Sequence, residues 1–234
     1  MTCQPAGSDQ RSPGGCGSGP PGAPPFRTAA TAAASSFIAS GGGSTAVNSR
    51  IGIPSQVQDP GPSIAHMKIR QGGLDDLPVI LAMLDGAVAW LAGLGRTGQW
   101  GTEPWSARPK AVERVREIVT SGTPWIAEID GEPAGTITLT PGPGPYIAPV
   151  DEPEVYVHLL VTDRRFAGRG VGAALLAHAA AETRRQGIDL LRVDCYAGDD
   201  GRLVAYYRGQ GFTPTERFTV GDWPGQLLAR RMSA

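Results

Sequence analysis

The alternation of hydrophobic and polar positions becomes regular at Met67. The run "MKIRQG" predicts a short strand, and the apolar spacing of residues 74–95 predicts a helix with an aspartate as its N-cap. Residues 107–122 repeat apolar positions at a helical period and predict a second, amphipathic helix. Two alternating runs then flank Asp130-Gly131, a dipeptide typical of a tight β-hairpin. This part of the chain therefore predicts the order β-α-α-β-β.

The remainder continues as alternating strands and helices. Residues 154–161, "EVYVHLLV", predict a strand, and a glycine cluster then opens an Ala-rich helix that Gly187 closes. Further runs predict a strand over 190–197, a short helix over 201–210 and a last strand over 225–232. The complete order, β-α-α-β-β-β-α-β-α-β, indicates an α/β fold with a mixed sheet.

Residues 1–66 have a different composition. They contain 11 Gly and 9 Pro but only five charged residues, in stretches such as "PGGCGSGPPGAPP". A segment of this kind cannot bury enough apolar surface to offset the entropy of ordering it. We therefore expect a disordered extension over 1–66 and one folded domain over 67–234, with a native start at Met67 as an alternative.

Charge and cysteine content exclude several classes of function. A formal net charge of −1 gives no field for nucleic acid or an anionic membrane surface. Cys3, Cys16 and Cys195 are too few and too scattered for a disulfide framework, and no His/Cys cluster has metal-ligand spacing. No uninterrupted apolar run approaches the ~18 residues of a membrane span. We expect a cytoplasmic protein without a bound metal and without nucleic-acid or membrane partners.

The segment "VTDRRFAGRGVGAALL", residues 161–176, crowds three glycines between a predicted strand and a predicted helix. The first amides of a helix have no acceptor inside it, and the helix dipole favours an anion there. Glycine permits positive φ and lets a ligand approach the backbone closely. Positive charge nearby comes from Arg164, Arg165 and Arg169. The pattern therefore predicts a pyrophosphate site at residues 167–173.

Two other phosphate-binding motifs compete for this segment. A P-loop requires GxxxxGK[ST], and the segment contains no lysine. The dinucleotide pattern G-x-G-x-x-G/A does fit Gly168 to Ala173, with Asp194 about 20 residues further on as a ribose-binding acid. Its context does not fit, because "TDRRFA" separates the strand from the first glycine and few residues remain for further βα units. A nicotinamide-dependent oxidoreductase is therefore a disfavoured alternative.

Two motifs together resemble the GCN5-related N-acetyltransferase (GNAT) family. That family carries [Q/R]-x-x-G-x-[G/A] after a strand, and "AGRGVG" matches it with Ala167 at the first position. The family's N-x-x-A-x-x-[LFY]-Y-x-x-x-G-F is matched by "DGRLVAYYRGQGF", with Asp200 in place of Asn, Leu203 in place of Ala and Tyr207 at the Tyr. The resemblance covers residues 67–234, is most specific over 154–218, and implies a mixed, mostly antiparallel sheet flanked by helices.

The resemblance implies acetyl transfer from acetyl-CoA to a primary amine of a small molecule or peptide. Tyr207 would protonate the departing thiolate, since an unperturbed tyrosine pKa of about 10 keeps it protonated at neutral pH. The backbone of one strand would hold the pantetheine arm and the oxyanion. The residues implied in cofactor binding are Leu160, Val161, Phe166, Ala167, Gly168, Arg169, Gly170, Val171, Gly172, Ala173 and Asp200.

The base for the amine is left open by the sequence. Strict alternation along 154–161 places Glu154, Tyr156, His158 and Leu160 on one face and Val155, Val157, Leu159 and Val161 on the other. Glu154 and His158 are therefore candidate bases, and a water chain without a dedicated base is an equal alternative.

The acceptor is also left open. Trp100 and Trp105, in the link between the first two helices, would line the amine pocket or else simply join those helices. A catalytically idle acyl-CoA-binding or sensor module of the same fold is the second functional hypothesis. A homodimer is expected only by analogy with the fold.

Overall fold

A computed structural model describes residues 67–233, so the expectation of a disordered extension over 1–66 lies outside the described residues. The described chain forms one seven-stranded sheet in the order β1-β2-β3-β4-β5-β7-β6. The strands are β1 Met67–Gln71, β2 Thr123–Ile129, β3 Glu132–Thr140, β4 Glu154–Thr162, β5 Leu190–Tyr196, β6 Thr213–Val220 and β7 Trp223–Arg231. The helices are α1 Leu77–Gly93, α2 Pro109–Ser121, α3 Val171–Arg185 and α4 Arg202–Gly209.

The predicted fold class is confirmed: the sheet is mixed, mostly antiparallel and flanked by helices. Every neighbouring pair is antiparallel except β4 and β5. The β2–β3 hairpin turns at Asp130 (φ 54°) and Gly131 (φ 82°), the positive angles that a two-residue type I′ turn requires. The sheet has one strand more than the sequence order predicts. This is β6, "TPTERFTV", whose Pro214 is tolerated because the strand lies at the sheet edge.

The two faces of the sheet carry separate hydrophobic clusters. On the α3 face, the side chains of α3 and α4 pack on β3, β4 and β5, and the cluster includes Leu175, Val193 and Tyr207. On the α1 face, α1 and α2 pack on β2 and β4, with Leu84 and Ile118 among the buried residues. The β4 strand lies between both clusters and is buried along almost its whole length.

A β-bulge at His158 interrupts the alternation of β4. Thr138 of β3 pairs with Leu159, but the next residue of β3 pairs with Val157, so His158 has no partner in that ladder. The prediction of strict alternation is therefore wrong beyond the bulge. Leu160 packs in the α3-face cluster with Val157, whereas Leu159 packs in the α1-face cluster. Val161 likewise lies on the α1 face.

One helical segment, Leu74–Gly93, is long and apolar enough to cross a membrane by length and composition. Its apolar side chains instead form the centre of the α1-face cluster, where Ile80, Leu84 and Ala87 are fully buried. The segment therefore has the packing of a core helix.

Candidate functional site

The central feature of the site is a separation of β4 from β5. The two strands pair in parallel only as far as Val157 and Val193. Beyond that point residues 159–162 remain paired with β3 and residues 194–196 with β7, but no described pair joins β4 to β5. We call this gap the β4–β5 cleft. Leu160 and Val161 are both fully buried on its edge. The backbone N–H and C=O groups of this edge that do not bond to β3 require a partner, and an amide-bearing ligand can supply one.

The glycine cluster lies at the open end of the β4–β5 cleft and starts α3. Gly168 (φ 79°) and Gly170 (φ 74°) both adopt the left-handed region, where other residues are strained. The first helical hydrogen bond runs from the Ala174 amide to the Gly170 carbonyl, at 3.0 Å. The amides of Val171, Gly172 and Ala173 precede that bond and point out of the helix, so the structure brings the predicted pyrophosphate-binding backbone together.

The three arginines near the glycines have different environments. Arg165 is exposed and forms ion pairs with Asp163 and Glu132, which offset its charge. The Arg164 guanidinium lies 3.7 Å from the centre of the Trp90 ring, and its burial lowers its pKa. Arg169 is half-buried and lies 5.6 Å from the centre of the Phe166 ring. Arg169 is therefore the arginine best placed to reach an anion. Ala167 is exposed, has no polar side chain, and its amide donates to the Arg164 carbonyl at 3.2 Å.

The second motif places Tyr207 and Asp200 at the two ends of the α4 segment. Tyr207 is fully buried on the α3 face, with its ring 5.7 Å from that of Phe212. Asp200 accepts a 3.0 Å hydrogen bond from Arg96, which belongs to the link between α1 and α2. The Asp200 carboxylate thus joins that link to the start of α4 through an ion pair.

The link between α1 and α2 packs against the end of β5 and the start of β7. The Trp223 indole donates a 3.1 Å hydrogen bond to the Gln99 carbonyl. Gly98 packs so closely on Tyr196 that an added Cβ would lie 2.2 Å from the hydroxyl oxygen. Trp100 and Trp105 are 1% and 2% exposed and meet edge to face at 6.0 Å inside the α1-face cluster. Trp105 also has the Arg108 guanidinium 5.1 Å from its ring centre. A role of the two tryptophans in lining an amine pocket stays a prediction.

Glu154 forms a buried ion pair with Arg192 of β5. The Arg192 Nη2 atom lies 2.7 Å from Oε1 of Glu154, and Nε pairs with the other carboxylate oxygen. Both side chains are about 5% exposed, so each charge depends on the other. Both oxygens of the Glu154 carboxylate are therefore occupied by charge-assisted hydrogen bonds from one guanidinium.

His158 is held in one neutral form by two neighbours. Its Nε2 lies 3.2 Å from Nη2 of Arg114 on α2, and arginine can only donate, so Nε2 accepts. The proton therefore sits on Nδ1, which faces the Thr140 hydroxyl at 3.5 Å, and that hydroxyl donates to the Gly142 carbonyl. Desolvation, followed by the charge of Arg114, lowers the pKa of His158 to about 4.

A second buried carboxylate belongs to Asp194, the first residue of β5 after the last β4–β5 pair. Its side chain lies in the β4–β5 cleft on the α1 face. Its Oδ1 accepts hydrogen bonds from Tyr156 at 2.6 Å and from Tyr146 at 3.2 Å. Its Oδ2 is buried and has no hydrogen-bond partner among residues 67–233. Desolvation raises the pKa of Asp194 to about 6, against the opposing effect of hydrogen bonds from the two tyrosines and from its own backbone amide. Leaving a charged oxygen unpaired in this way costs about 1–3 kcal/mol or more.

The sequence did contain a signal for this arrangement. Strand β5, "LLRVDCY", is buried at every position, yet it carries Arg192 and Asp194. Charged residues are rarely buried without a partner or a function. The partners themselves could not be predicted, because Tyr146 comes from the irregular connection between β3 and β4 and Arg114 from a separate helix.

A cavity of about 370 Å³ lies at the opposite end of β4, away from the glycine cluster. Its lining combines the start of β2 and β4 with the end of α3, and includes Gly122, Glu154 and Glu182. Neither the β4–β5 cleft beyond Val157 nor the start of α3 borders it, so we do not place the chemistry there.

Comparison with known proteins agrees with this geometry. The model of the acetyltransferase (GNAT) family matches residues 90–212. The uncharacterized N-acetyltransferase YesJ of Bacillus subtilis (strain 168) is 29% identical over 130 residues, which cover 51% of this chain and 72% of that protein.

Solved structures share the fold at low sequence identity. A GNAT-family acetyltransferase from Listeria monocytogenes 4b F2365 has a TM-score of 0.55 and 17% identity, covering 70% of this chain and 94% of that one. The ribosomal-protein-S18-alanine N-acetyltransferase from Escherichia coli has a TM-score of 0.52 and 17% identity, covering 72% and 95%. At these identities the likeness establishes the fold alone.

The environment of His158 predicts a pH-dependent stability. The pKa of His158 is 6.5 without perturbation and about 4 in the folded chain. Between these two pH values the ring is protonated in the unfolded state but neutral in the folded state. The stability that the neutral ring contributes is complete above pH 6.5 and lost as pH falls through 4. Between pH 7 and pH 4, urea unfolding of the wild type should lose on the order of 2 kcal/mol relative to His158→Gln.

The unfolding free energy of the wild type must be compared with that of His158→Gln at each pH, because the titration of Asp194 changes the stability of both proteins in the direction opposite to His158. The raised pKa of Asp194 makes it more stabilising when protonated, so its contribution is lost as pH rises through about 6. Parallel pH profiles for the wild type and His158→Gln would contradict the buried, neutral state of the ring.

Proposed function

The chain belongs to the acetyltransferase (GNAT) family, and on this premise we propose that it moves the acetyl group of acetyl-CoA to a primary amine by direct attack. The observation that carries the proposal is the β4–β5 cleft, with the start of α3 at its open end. A cofactor with a diphosphate at one end and an amide-bearing arm at the other needs these two features next to each other.

The proposed binding mode uses the backbone for most contacts. The amides of Val171, Gly172 and Ala173 and the helix dipole receive the diphosphate, with Arg169 beside them. The pantetheine arm enters the β4–β5 cleft and pairs with the backbone edge of Leu160 and Val161. A backbone-based site is consistent with Ala167 standing where the family motif has a glutamine or arginine.

Tyr207 is the proposed acid for the departing thiolate. It comes from α4 and is buried on the α3 face beside Phe212, in the cluster that also contains Leu160 of the cleft edge. The neutral amine forms a C–N bond at the thioester carbonyl, the C–S bond breaks, and the sulfur takes a proton from Tyr207. Backbone donors along β4 stabilise the oxyanion of the tetrahedral adduct.

We propose that Glu154 and His158 position the site rather than deprotonate the amine. The Glu154 carboxylate is committed to Arg192, and Nε2 of His158 is committed to Arg114. His158 forms the bulge that turns Leu160 to the α3 face, so its fixed ring holds the edge of the β4–β5 cleft in place.

A screen of amines with acetyl-CoA and a thiol-detecting reagent tests the proposed function. Release of CoA with at least one amine of a panel of alkylamines, polyamines, amino acids and peptides is the expected result. Binding of acetyl-CoA without release would support an idle acyl-CoA-binding module. Failure to bind millimolar acetyl-CoA at all would contradict the proposal.

Substitution of Tyr207 by Phe should lower kcat by about 100-fold or more, because the thiolate would leave without a proton donor. The affinity for acetyl-CoA, measured by calorimetry, should stay unchanged. Tyr206→Phe is a matched control, since Tyr206 lies beside Tyr207 with ring centres 5.7 Å apart but is half-buried. Equal activity of the Tyr207 and Tyr206 variants would remove Tyr207 from this role.

Replacing Gly170 by Ala should weaken acetyl-CoA binding by roughly tenfold, about 1.4 kcal/mol. The left-handed backbone at φ 74° is strained for alanine, so the amides that follow would shift. Gly187→Ala carries a similar strain at φ 70° at the other end of α3, and it should cost stability but leave the dissociation constant unchanged. The same dissociation constant for both variants would refute diphosphate binding at the start of α3.

A further inference from the structure

The environment of Asp194 has the features of a cation-binding site. Asp194 is 3% exposed, it begins the β4–β5 cleft, and its Oδ2 has no hydrogen-bond partner within residues 67–233. No arginine or lysine of the described chain forms an ion pair with it, in contrast to Glu154. A buried carboxylate oxygen without a partner would gain a hydrogen bond and an opposite charge from a protonated amine.

The position of Asp194 suits the second substrate. Tyr207 and the neighbouring Cys195 belong to the α3 face, whereas Asp194 lies on the α1 face with Tyr156. The cofactor arm, if it lies in the β4–β5 cleft as proposed above, separates these two faces. An amine bound at Asp194 would therefore meet the thioester from the side opposite Tyr207.

The surroundings of Asp194 are aromatic and apolar. Tyr156 packs with Ile147 and Leu227, and Tyr146 and Phe218 pack against that cluster. The Tyr146 and Phe218 rings lie 6.0 Å apart, and the Phe218 ring covers Gly225 so closely that an added Cβ would lie 2.3 Å from it. Aromatic rings attract a cation and also pack against a hydrocarbon chain. Tyr146 is half-buried, and the proposed entry runs past it.

We propose that Asp194, oriented by Tyr156 and Tyr146, binds the ammonium group of the acceptor and takes its proton, and that the acceptor is a monoamine carried on an apolar or aromatic chain. The proposal rests on the proposed acetyltransferase function and adds to it the base and the class of acceptor. Glu154 and His158 lack these properties because their acceptor atoms are already occupied.

The proton balance of the step is complete. The ammonium gives one proton to Oδ2 of Asp194 and becomes a neutral amine. Its lone pair forms the C–N bond, the C–S bond breaks, and Tyr207 protonates the thiolate. The new amide nitrogen loses a second proton, which restores Tyr207, and Asp194 returns its proton to solvent. The net products are the N-acetyl amine, CoA and one proton.

The titration of Asp194 supports this role. Its pKa of about 6 would leave it ionised at neutral pH yet able to hold a proton briefly. The ionisable groups of the elements packed around it are Tyr146, Tyr156, Arg192 with its partner Glu154, Cys195, and His158 with its partner Arg114. Of these, the two tyrosines donate to Asp194 directly and hold its pKa down.

The first test is binding of 2-phenylethylamine to the CoA-bound protein, measured by calorimetry at pH 8. The wild type should bind it, and Asp194→Asn should bind at least tenfold more weakly, since the amide keeps the shape but not the charge. Two comparison ligands should bind more weakly than 2-phenylethylamine. 2-Phenylethanol has the same aromatic skeleton but no cation, and spermidine has cations but no aromatic group. Asp75→Asn, an exposed carboxylate on another part of the surface, is the matched control and should behave as the wild type.

The second test is the pH dependence of kcat/KM. The wild-type value should fall below about pH 6 as Asp194 becomes protonated. Asp194→Asn should lose at least about 100-fold in kcat/KM and also lose this acidic limb. In Tyr156→Phe the limb should move to higher pH, because removal of a hydrogen bond to the carboxylate raises its pKa. A merely structural role would not move the limb.

The outcomes separate this proposal from the function on which it rests. If acetyl-CoA does not bind, the proposed function fails. If acetyl-CoA binds but 2-phenylethylamine does not, or the alcohol binds equally well, the acceptor class is wrong. If Asp194→Asn folds and retains wild-type kcat/KM and pH profile, Asp194 is not the base. Should that variant fail to fold, an unshifted limb in Tyr156→Phe overturns the role instead.

Discussion

The separation of β4 from β5 is the constraint on which the rest of the site depends. A parallel pair that stops after four residue pairs leaves two backbone edges that face each other without hydrogen bonds. The bulge at His158 occurs at the same point and turns Leu160 toward α3 and Leu159 toward α1. The gap is thus built into the strand geometry, and it connects the start of α3 with the interior of the sheet.

Of the two buried carboxylates that residues 67–233 place on the α1 face, Glu154 is paired with an arginine and Asp194 is not. Arg192 neutralises Glu154, and Arg114 fixes His158 in its neutral form. Asp194 lies beside these groups with two tyrosine donors on one oxygen and none on the other. Groups that are fully paired hold the shape of the site, and the group that is only half paired is the one suited to exchange a proton.

The sequence predicted the secondary-structure elements better than the contacts between distant segments. Apolar periodicity, Asp130-Gly131 and the glycines before α3 are local signals, so the strands, the hairpin and the start of α3 lie where they were expected. Strand β6 was missed because "TPTERFTV" is polar and contains a proline, as an edge strand allows. The bulge at His158 and the pairing of Asp194 with Tyr146 depend on contacts between distant segments, which no local pattern encodes.

Amide hydrogen exchange with and without acetyl-CoA tests the central claim most directly. If the cofactor lies in the β4–β5 cleft with its diphosphate at the start of α3, saturating acetyl-CoA should slow exchange in peptides covering residues 158–162 and 168–174. The β2–β3 hairpin and the β6–β7 edge should change little. Protection confined to other parts of the sheet, or none in those two segments while acetyl-CoA is bound, would contradict the account.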